Sequence, residues 1–272
     1  MAGSIGDRRI DQITSSDILD VLSRDWLKKP ETARRVLQRL RLVFDWSIAK
    51  GFRTAANPTI GVRDVLPKHR AADRHHPAMP YAQVPAFVAR LRSERERSTA
   101  SLGLEFTILC AARTGETIGA KWIEIDLDHA LWTIPAERMK ALHEHRVPLS
   151  SRAVEILHEA RSLNPRSEYV FPGGRPASRA SNMIFLMLLR RMEVKGISVH
   201  GFRSSFRDWC SERTATPHAV AEAALAHRLK DKAEAAYNRT DLLDRRRELM
   251  NLWARYVANA PATVVAMNAV PA

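Results

Sequence analysis

The chain has few cysteines, a deficit of acidic residues and no long apolar runs. Its 272 residues include two cysteines, Cys110 and Cys210, and neither belongs to a CxxC pair. This argues against a zinc ribbon and against a secreted disulfide scaffold, which need more cysteines at closer spacing. No apolar run is long enough for a bilayer, and the N-terminus lacks the apolar segment of a signal peptide. We therefore expect a protein of the reducing cytoplasm.

Acidic residues are too few to balance the basic ones. Lys and Arg number 43 against 30 Asp and Glu, which gives a formal net charge of +13. Such a surplus favours a polyanionic partner, and nucleic acid is the first candidate, although basic charge that serves only solubility is the alternative. The carboxylates form no cluster of the kind that holds Mg²⁺ in nucleases, so we expect neither a metal nor another cofactor.

Hydrophobic residues make up 45% of the chain, enough for a core, and their periodicity divides it into two mostly helical units. We predict a helical unit over residues 1–66, a basic, proline-bounded linker over 67–80, a larger unit over 81–257 and a loose tail over 258–272. Three short strands interrupt the larger unit at 122–127, 131–134 and 145–149. Its predicted helices cover 81–93, 99–112, 150–162, 179–194, 202–213, 217–225, 232–237 and 241–257. The predicted fold class is mainly α (α+β), with a small three-stranded antiparallel sheet.

The first unit contains two predicted helices, and the second of these helices has two distinct faces. This helix begins near Pro30, where proline is tolerated in the first turn, and stops at Gly51. Its apolar stripe consists of Val36, Leu37, Leu40, Val43, Phe44 and Ile48. Its polar face carries Arg34, Gln38 and Arg41, flanked by Arg35 and Arg39. This basic face suits a DNA backbone or major groove. An ordinary solvated face is an equally good interpretation of the helix alone, and the net charge favours DNA.

Arg113 follows the apolar stretch FTILCAA and precedes Gly115, which places its guanidinium at a helix terminus or turn. A guanidinium can bind two phosphate oxygens at once, and Glu116 can hold it from behind. Taken alone, Arg113 and Glu116 also fit an ordinary helix salt bridge. Lys140 lies in the connection between the second and third predicted strands, from which it can reach a groove or donate a proton. A solvated loop lysine is the commoner interpretation of such a position.

A second group of candidate residues lies towards the C-terminus. His200 and Arg203 are three residues apart at the start of an amphipathic helix, so they share a face near a helix N-terminus that favours anions. His227 ends a helix of small residues, and Tyr237 ends a short alanine-rich helix. His143 and His145 are strand-edge histidines, which are not expected to bind metal. The sequence contains no internal repeat.

Together these residues resemble the tyrosine recombinases of the phage-integrase type, and most closely the subgroup that mobilises genomic islands. The stretches that carry the resemblance are AARTGE, EIDLDHALWTIPAERMKALHEHRVPLS, HGFRSSFRDW, ALAH and EAAY, in the order and with the spacing of that family. The resemblance implies a catalytic domain over 81–257 and a core-DNA-binding domain over 1–66. Integrases of this subgroup usually carry a further N-terminal domain that binds arm sites, and we expect it to be missing here.

The resemblance implies a catalytic set of Arg113, Lys140, His200, Arg203, His227 and Tyr237. By the same resemblance, Tyr237 is expected to attack a phosphodiester and form a 3′-phosphotyrosyl bond, without metal or ATP. The implied partner is double-stranded DNA at attachment sites, bound by a homo-oligomer that becomes a tetramer in the synapse, with the protein associated with the nucleoid. Two alternatives stay open: a type IB topoisomerase with the same chemistry, and a truncated, non-catalytic remnant that competes for attachment sites.

Overall fold

The computed structural model describes residues 5–68, 77–93, 98–174, 178–227 and 241–259. The chain forms two compact units, Met1–Arg74 and His75–Ala272, and each is described by itself. Among the helices of the described residues, none combines the length and apolar character needed to cross a membrane.

The described part of the first unit contains three α-helices: α1 (Ser15–Ser23), α2 (Pro30–Ala49) and α3 (Val62–Val65). A capping box starts α1, because the Thr14 hydroxyl accepts the Asp17 amide while the Asp17 carboxylate accepts the Thr14 amide at 2.8 Å. The helices enclose a small apolar core composed of Ile13, Ile18, Leu22, Trp26, Ala33, Phe44, Val62 and Leu66. This unit therefore has a hydrophobic core of its own.

The inward face of α2 is narrower than the sequence predicts. Phe44 is buried, and four other members of the predicted stripe are half-buried: Val36, Leu37, Leu40 and Ile48. Val43 is 51% exposed, so its assignment to the stripe was wrong. It lies about 100° around the helix from Phe44, which takes it past the edge of the buried face. Gly51 follows the helix at φ +74°, and its left-handed conformation makes it the predicted stop.

The second unit contains the predicted three-stranded antiparallel sheet, in the order β1 (Ile125–Asp126), β2 (Leu131–Ile134) and β3 (His145–Pro148). In the register, Ile125 pairs with Trp132, and Trp132 pairs with Val147 on its other side. The first strand is shorter than predicted. Residues 122–124 form a 3₁₀ turn because the Glu124 amide binds the Lys121 carbonyl at 3.0 Å.

Helices are the main secondary structure in the described part of the second unit, which confirms the predicted fold class. They are α4 (Val84–Arg92), α5 (Thr99–Leu109), α6 (Thr114–Ile118), α7 (Ser151–Leu163), α8 (Ile184–Arg191), α9 (Gly201–Arg213), α10 (His218–Ala224) and α11 (Leu243–Ala258). Helix α8 begins five residues later than predicted because Arg179 forms an antiparallel bridge with Pro172. The helix predicted over 232–237 and the tail beyond residue 259 lie outside the described residues.

The central helix of the second unit is α5, and its position determines where the next turn of the chain lies. From Ser101 to Leu109 every residue of α5 is buried. The Trp253 indole of α11 donates to the Ile108 carbonyl at 2.9 Å, near the C-terminal end of α5. That end is therefore held firmly where the chain turns towards Arg113.

Helices α5 and α10 end in the same way, in Schellman turns whose left-handed residue is alanine. The turn after α5 has the Ala111 amide on the Ile108 carbonyl at 3.2 Å and the Ala112 amide on the Thr107 carbonyl at 3.1 Å. The turn after α10 repeats this pattern around Ala226. Ala111 and Ala226 both have φ +48°, a region that L-residues enter at a cost of about 1–2 kcal/mol.

We expect Ala226→Gly to raise the free energy of unfolding by about 0.5–1 kcal/mol, and Ala111→Gly, which also removes a buried methyl group worth about 0.8 kcal/mol, to leave it nearly unchanged. Glycine relieves the left-handed strain, and its larger unfolded-state entropy offsets part of that gain. Ala89→Gly, at an exposed interior position of α4, is the control and should lose about 1 kcal/mol. Urea unfolding of the three variants measures the differences. Equal losses at all three positions would contradict the strain argument.

Candidate active site

The turn after α5 leads directly to Arg113, which has a fixed position. Arg113 is the N-cap of α6, and the Glu116 carboxylate binds it twice: one oxygen accepts its backbone amide at 2.8 Å and the other its Nη1 at 2.6 Å. Glu116 is buried, which tends to raise its pKa. The hydrogen bonds from Arg113 and the charges of Arg113 and Arg203 outweigh burial, so the pKa of Glu116 lies below its usual value. Glu116 is therefore an anion that holds the Arg113 guanidinium.

Arg203 reaches the same place from α9 and is 5% exposed. Its guanidinium donates to the Ala111 carbonyl through Nη1 and to the Leu225 carbonyl at 2.6 Å through Nη2. It therefore joins the two Schellman turns. Burial, together with the neighbouring charge of Arg113, lowers the pKa of Arg203 to about 10, so it remains a cation at neutral pH. Its Nε is buried and has no hydrogen-bond partner within the described part of the chain.

His227 directly follows Ala226 and lies against Arg203. Its Nε2 is 3.1 Å from Arg203 Nη2, and its Nδ1 is 2.9 Å from the Glu222 carboxylate. A guanidinium offers only donors and a carboxylate only acceptors, so the ring accepts at Nε2 and donates from Nδ1. The imidazole is thus held on both sides.

Lys140 lies on the connection between β2 and β3 and is exposed. Two residues earlier, the Arg138 guanidinium donates to the Glu124 carboxylate and to the Glu116 carbonyl of α6. The Trp132 indole fixes the same Glu124 carboxylate at 3.0 Å. Arg138 therefore ties the lysine connection to the helix that holds Arg113.

His200 is the N-cap of α9 and is exposed. The start of α9 approaches the segment 77–79 closely, and a Cβ on Gly201 would lie 2.3 Å from the Pro77 carbonyl oxygen. The Ser198 amide and the Ser205 hydroxyl donate to the carbonyls of Pro77 and Met79. The end of the predicted linker therefore packs on the helix that carries His200 and Arg203.

Tyr237 belongs to residues 228–240, which lie outside the described residues. Asp241, four residues further along the chain, is anchored: its carboxylate accepts Arg146 of β3 at 2.6 Å and Arg246 of α11 at 2.9 Å. The chain is therefore fixed at His227 on one side of Tyr237 and at Asp241 on the other.

Three residues of this neighbourhood carry no signal in the sequence that would place them here: Arg138, His145 and Glu222. Burial, followed by the charges of Arg246, Arg203 and Arg113, lowers the pKa of the half-buried His145 to about 4. His145 is therefore a neutral neighbour of the arginines at pH 7.

Across the described ranges, no three His, Cys, Asp or Glu side chains are grouped as the ligands of a metal ion would be.

The basic face of α2, in the first unit, is exposed along its length. Arg34 and Arg35 pair with Glu31 at 3.6 and 2.9 Å, and Arg41 pairs with Asp45 at 3.8 Å. Exposed ion pairs of this kind are worth at most about 1 kcal/mol, so they leave the cations available to another anion. Gln38 and Arg39 are also exposed.

The arrangement in the second unit brings two guanidinium groups and a histidine together. Two guanidinium groups influence each other electrostatically, a histidine touches one of them, and a carboxylate holds the other. Like charges that influence each other in this way are stable only where other groups compensate them. Carbonyl oxygens and Glu116 provide that compensation in the described residues.

Family profiles match most of the chain. The phage integrase family matches residues 78–242, and the phage integrase central domain matches residues 1–63. The integrase of Enterobacteria phage P4 is 31% identical over 93% of this chain and 61% of its own length. Prophage integrase IntA of Escherichia coli (strain K12) is 30% identical over 94% of this chain and 62% of its own length. The chain thus spans about three-fifths of the length of the curated relatives that it matches.

Solved structures share the fold at low sequence identity. A lambda integrase (75–356) dimer bound to a COC′ core site has a TM-score of 0.59 and 19% identity, covering 86% of this chain and 82% of that chain. The Tn1549 transposon integrase (aa 82–397) in complex with circular intermediate DNA has a TM-score of 0.55 and 14% identity, covering 87% of this chain and 89% of that chain.

We expect Arg203→Met to lower the free energy of unfolding by about 2–4 kcal/mol, because it leaves two helix-end carbonyls without their donor. Lys140→Met removes a cation from an exposed connection and should change stability by less than about 0.5 kcal/mol. Urea unfolding compares the two variants. Similar small effects for both would show that Arg203 does not hold the two turns together.

Proposed function

Because the chain belongs to the phage integrase family, we propose that it is a site-specific DNA recombinase that cleaves and rejoins DNA through a 3′-phosphotyrosyl intermediate. The observation that carries the proposal is the convergence of Arg113, Arg203 and His227 on one place, with Glu116 holding the first of them. These groups come from three different helix ends, and a core helix needs no such cluster of cations.

The proposed reaction begins with a phosphodiester bound by the two guanidinium groups. Its negative oxygens repel nucleophiles, and Arg113 and Arg203 neutralise them and stabilise the additional charge of the transition state. Once its Nε2 is protonated, His227 donates a further hydrogen bond to a phosphate oxygen. Side-chain cations therefore do the work that metal ions do in many nucleases, and we propose that the reaction needs no metal.

Tyr237 is the proposed nucleophile. A free phenol has a pKa of about 10, so ionising it at pH 7 costs roughly 4 kcal/mol, and the cationic site lowers that cost. The Tyr237 oxygen forms a bond to phosphorus as the bond from phosphorus to the 5′ oxygen breaks. His200 accepts the phenol proton, and Lys140 donates a proton to the departing 5′ oxygen. The phosphoester bond is conserved in the adduct, so rejoining needs no ATP.

The proposed partner is double-stranded DNA. In the first unit we assign backbone or groove contacts to the exposed basic face of α2: Arg34, Arg35, Gln38, Arg39 and Arg41. Lambda integrase has been solved as a dimer on a core site and as a tetramer on a Holliday junction. By this likeness we propose that the chain also acts as a tetramer when two DNA duplexes are brought together.

The first test is Tyr237→Phe on a nicked duplex that carries a candidate attachment-site core. The wild-type chain should accumulate a covalent protein–DNA adduct, and the variant should form none yet bind DNA with unchanged affinity. Tyr256→Phe removes the hydroxyl of a half-buried tyrosine in α11 and serves as the matched control, which should keep the adduct. Denaturing gel electrophoresis detects the adduct.

The same assay separates the competing functions. Adduct formation should persist in EDTA, and a strict requirement for Mg²⁺ would instead indicate a nuclease. Relaxation of supercoiled DNA without a preferred site would indicate a type IB topoisomerase. A wild-type chain that binds the site and never forms an adduct would be a non-catalytic competitor.

The second test concerns α2. Arg34→Ala combined with Arg41→Ala should reduce the slope of log Kd against log salt by about 1.8, because each lost phosphate contact removes about 0.9. Arg8→Ala removes an exposed cation that pairs with Asp17 in the same unit, and it should leave the slope unchanged. Fluorescence anisotropy across a salt series measures the slope for the double variant and for Arg8→Ala. Equal slopes for the double variant and the wild type would exclude these contacts.

A further inference from the structure

Glu222 binds His227 at two points. Its carboxylate Oε2 lies 2.9 Å from Nδ1 of the ring, and its backbone carbonyl accepts the His227 amide at 3.0 Å as part of the Schellman turn. The carboxylate is 16% exposed, and the His227 side chain is 42% exposed. A residue five positions earlier therefore fixes both the backbone and the ring of the histidine.

Two arginines of helix α9 contact this pair, one at His227 and the other at Glu222. Arg203 and Arg207 are four residues apart and share a face of α9. Arg203 contacts His227 Nε2 at 3.1 Å, and Arg207 Nε donates to the other Glu222 oxygen, Oε1, at 2.5 Å. The contacts form a continuous chain from Arg207 through Glu222 and His227 to Arg203. The imidazole lies between a carboxylate and a guanidinium that belong to different helices.

The Glu222 carboxylate is suited to this role because it is ionised. Partial burial tends to raise its pKa, but the hydrogen bonds and charges of His227 and Arg207 hold the pKa of Glu222 below its usual value. An ionised carboxylate accepts hydrogen bonds and donates none. The proton on His227 must therefore lie on Nδ1 whenever this contact is made.

The position of that proton has a consequence for catalysis. Nε2 now accepts from Arg203, and it can donate to a phosphate oxygen only after it gains a proton of its own. Because Glu222 keeps the Nδ1 proton in place, the ring that donates to phosphate is the imidazolium, and the carboxylate 2.9 Å away balances its charge.

We propose that Glu222 is a positioning residue that directs His227 Nε2 towards the scissile phosphate and stabilises the ring in its doubly protonated form. The inference deepens the proposed function and rests on it. Glu222 acts on the reaction through His227, and Arg207 keeps its carboxylate in the correct orientation. His218 Nε2 also lies 3.8 Å from Oε1 of the carboxylate, on the side away from His227 Nδ1. The corresponding arrangement in metal sites, a carboxylate behind a ligating histidine, fixes the tautomer and orientation of the ring in the same way.

The first experiment requires no DNA. Nitrogen-15 NMR of the histidine rings in the full chain reports which ring nitrogen carries the proton, and His227→Asn identifies the signals of His227. The wild type should show the Nδ1-protonated ring, and Glu222→Gln should shift the population towards Nε2. Glu168→Gln, which removes an exposed carboxylate that pairs with Lys121 at 3.3 Å, should leave the signals unchanged. Identical His227 signals in the wild type and Glu222→Gln would overturn the proposal.

The second experiment separates binding from chemistry on the nicked attachment-site duplex. Glu222→Gln should bind this DNA with a Kd within twofold of the wild type and form the covalent adduct about 10–100-fold more slowly, the usual cost of losing such a supporting contact. An unchanged cleavage rate, or a weaker Kd with an unchanged rate, would overturn the proposal. A wild-type chain that forms no adduct would refute the proposed function and leave the NMR result to decide the role of Glu222.

Circular dichroism and thermal melting verify that the variants fold. If Glu222→Gln does not fold, Glu222→Asp replaces it, because it keeps the charge and withdraws the carboxylate by one methylene. The NMR signals should then show loss of the Nδ1 contact, with an intermediate rate of adduct formation. Wild-type signals and a wild-type rate in Glu222→Asp would contradict the requirement for a close carboxylate.

Discussion

The site depends on one guanidinium that binds two helix ends. Arg203 donates to the carbonyls of Ala111 and Leu225, and each carbonyl belongs to a left-handed turn that leads to another site residue, Arg113 in one case and His227 in the other. Carbonyls at helix C-termini lack partners within the helix and carry partial negative charge, so a buried cation stabilises them. Arg203 therefore determines where Arg113 and His227 lie before any ligand is bound.

The supporting carboxylates act in a matching way. Glu116 binds Arg113 through its backbone amide and guanidinium, and Glu222 binds His227 through its ring while its own carbonyl accepts the His227 amide. In both cases an acidic residue close in sequence fixes the orientation of a residue that the proposed chemistry uses. The site is thus organised by local turns joined across the fold by Arg203.

Patterns within one helix or one strand pair were predictable from the sequence. The fold class, the order of the strands and the position of Arg203 near the start of an amphipathic helix follow from periodicity, which depends only on neighbouring residues.

The rest of the site depends on contacts that the sequence does not show. Glu222 was missed because its contact with His227 arises from a Schellman turn, and the alanine at position 226 does not give the glycine signal that usually marks such a turn. Val43 was misplaced because the width of a buried face depends on what packs against it. Arg138 binds groups that only the folded chain brings near.

The structural role of Arg203 is compatible with phosphate binding because its donors are divided between the two tasks. A guanidinium has five N–H donors, and three of them contact Ala111, Leu225 and His227. Its buried Nε has no partner in the described part of the chain, a condition that costs about 1–3 kcal/mol. In the proposed function, a phosphate adds to these contacts of Arg203 while the two carbonyl contacts stay in place. The proposed DNA partner would then bind Arg203 and leave the helix ends joined.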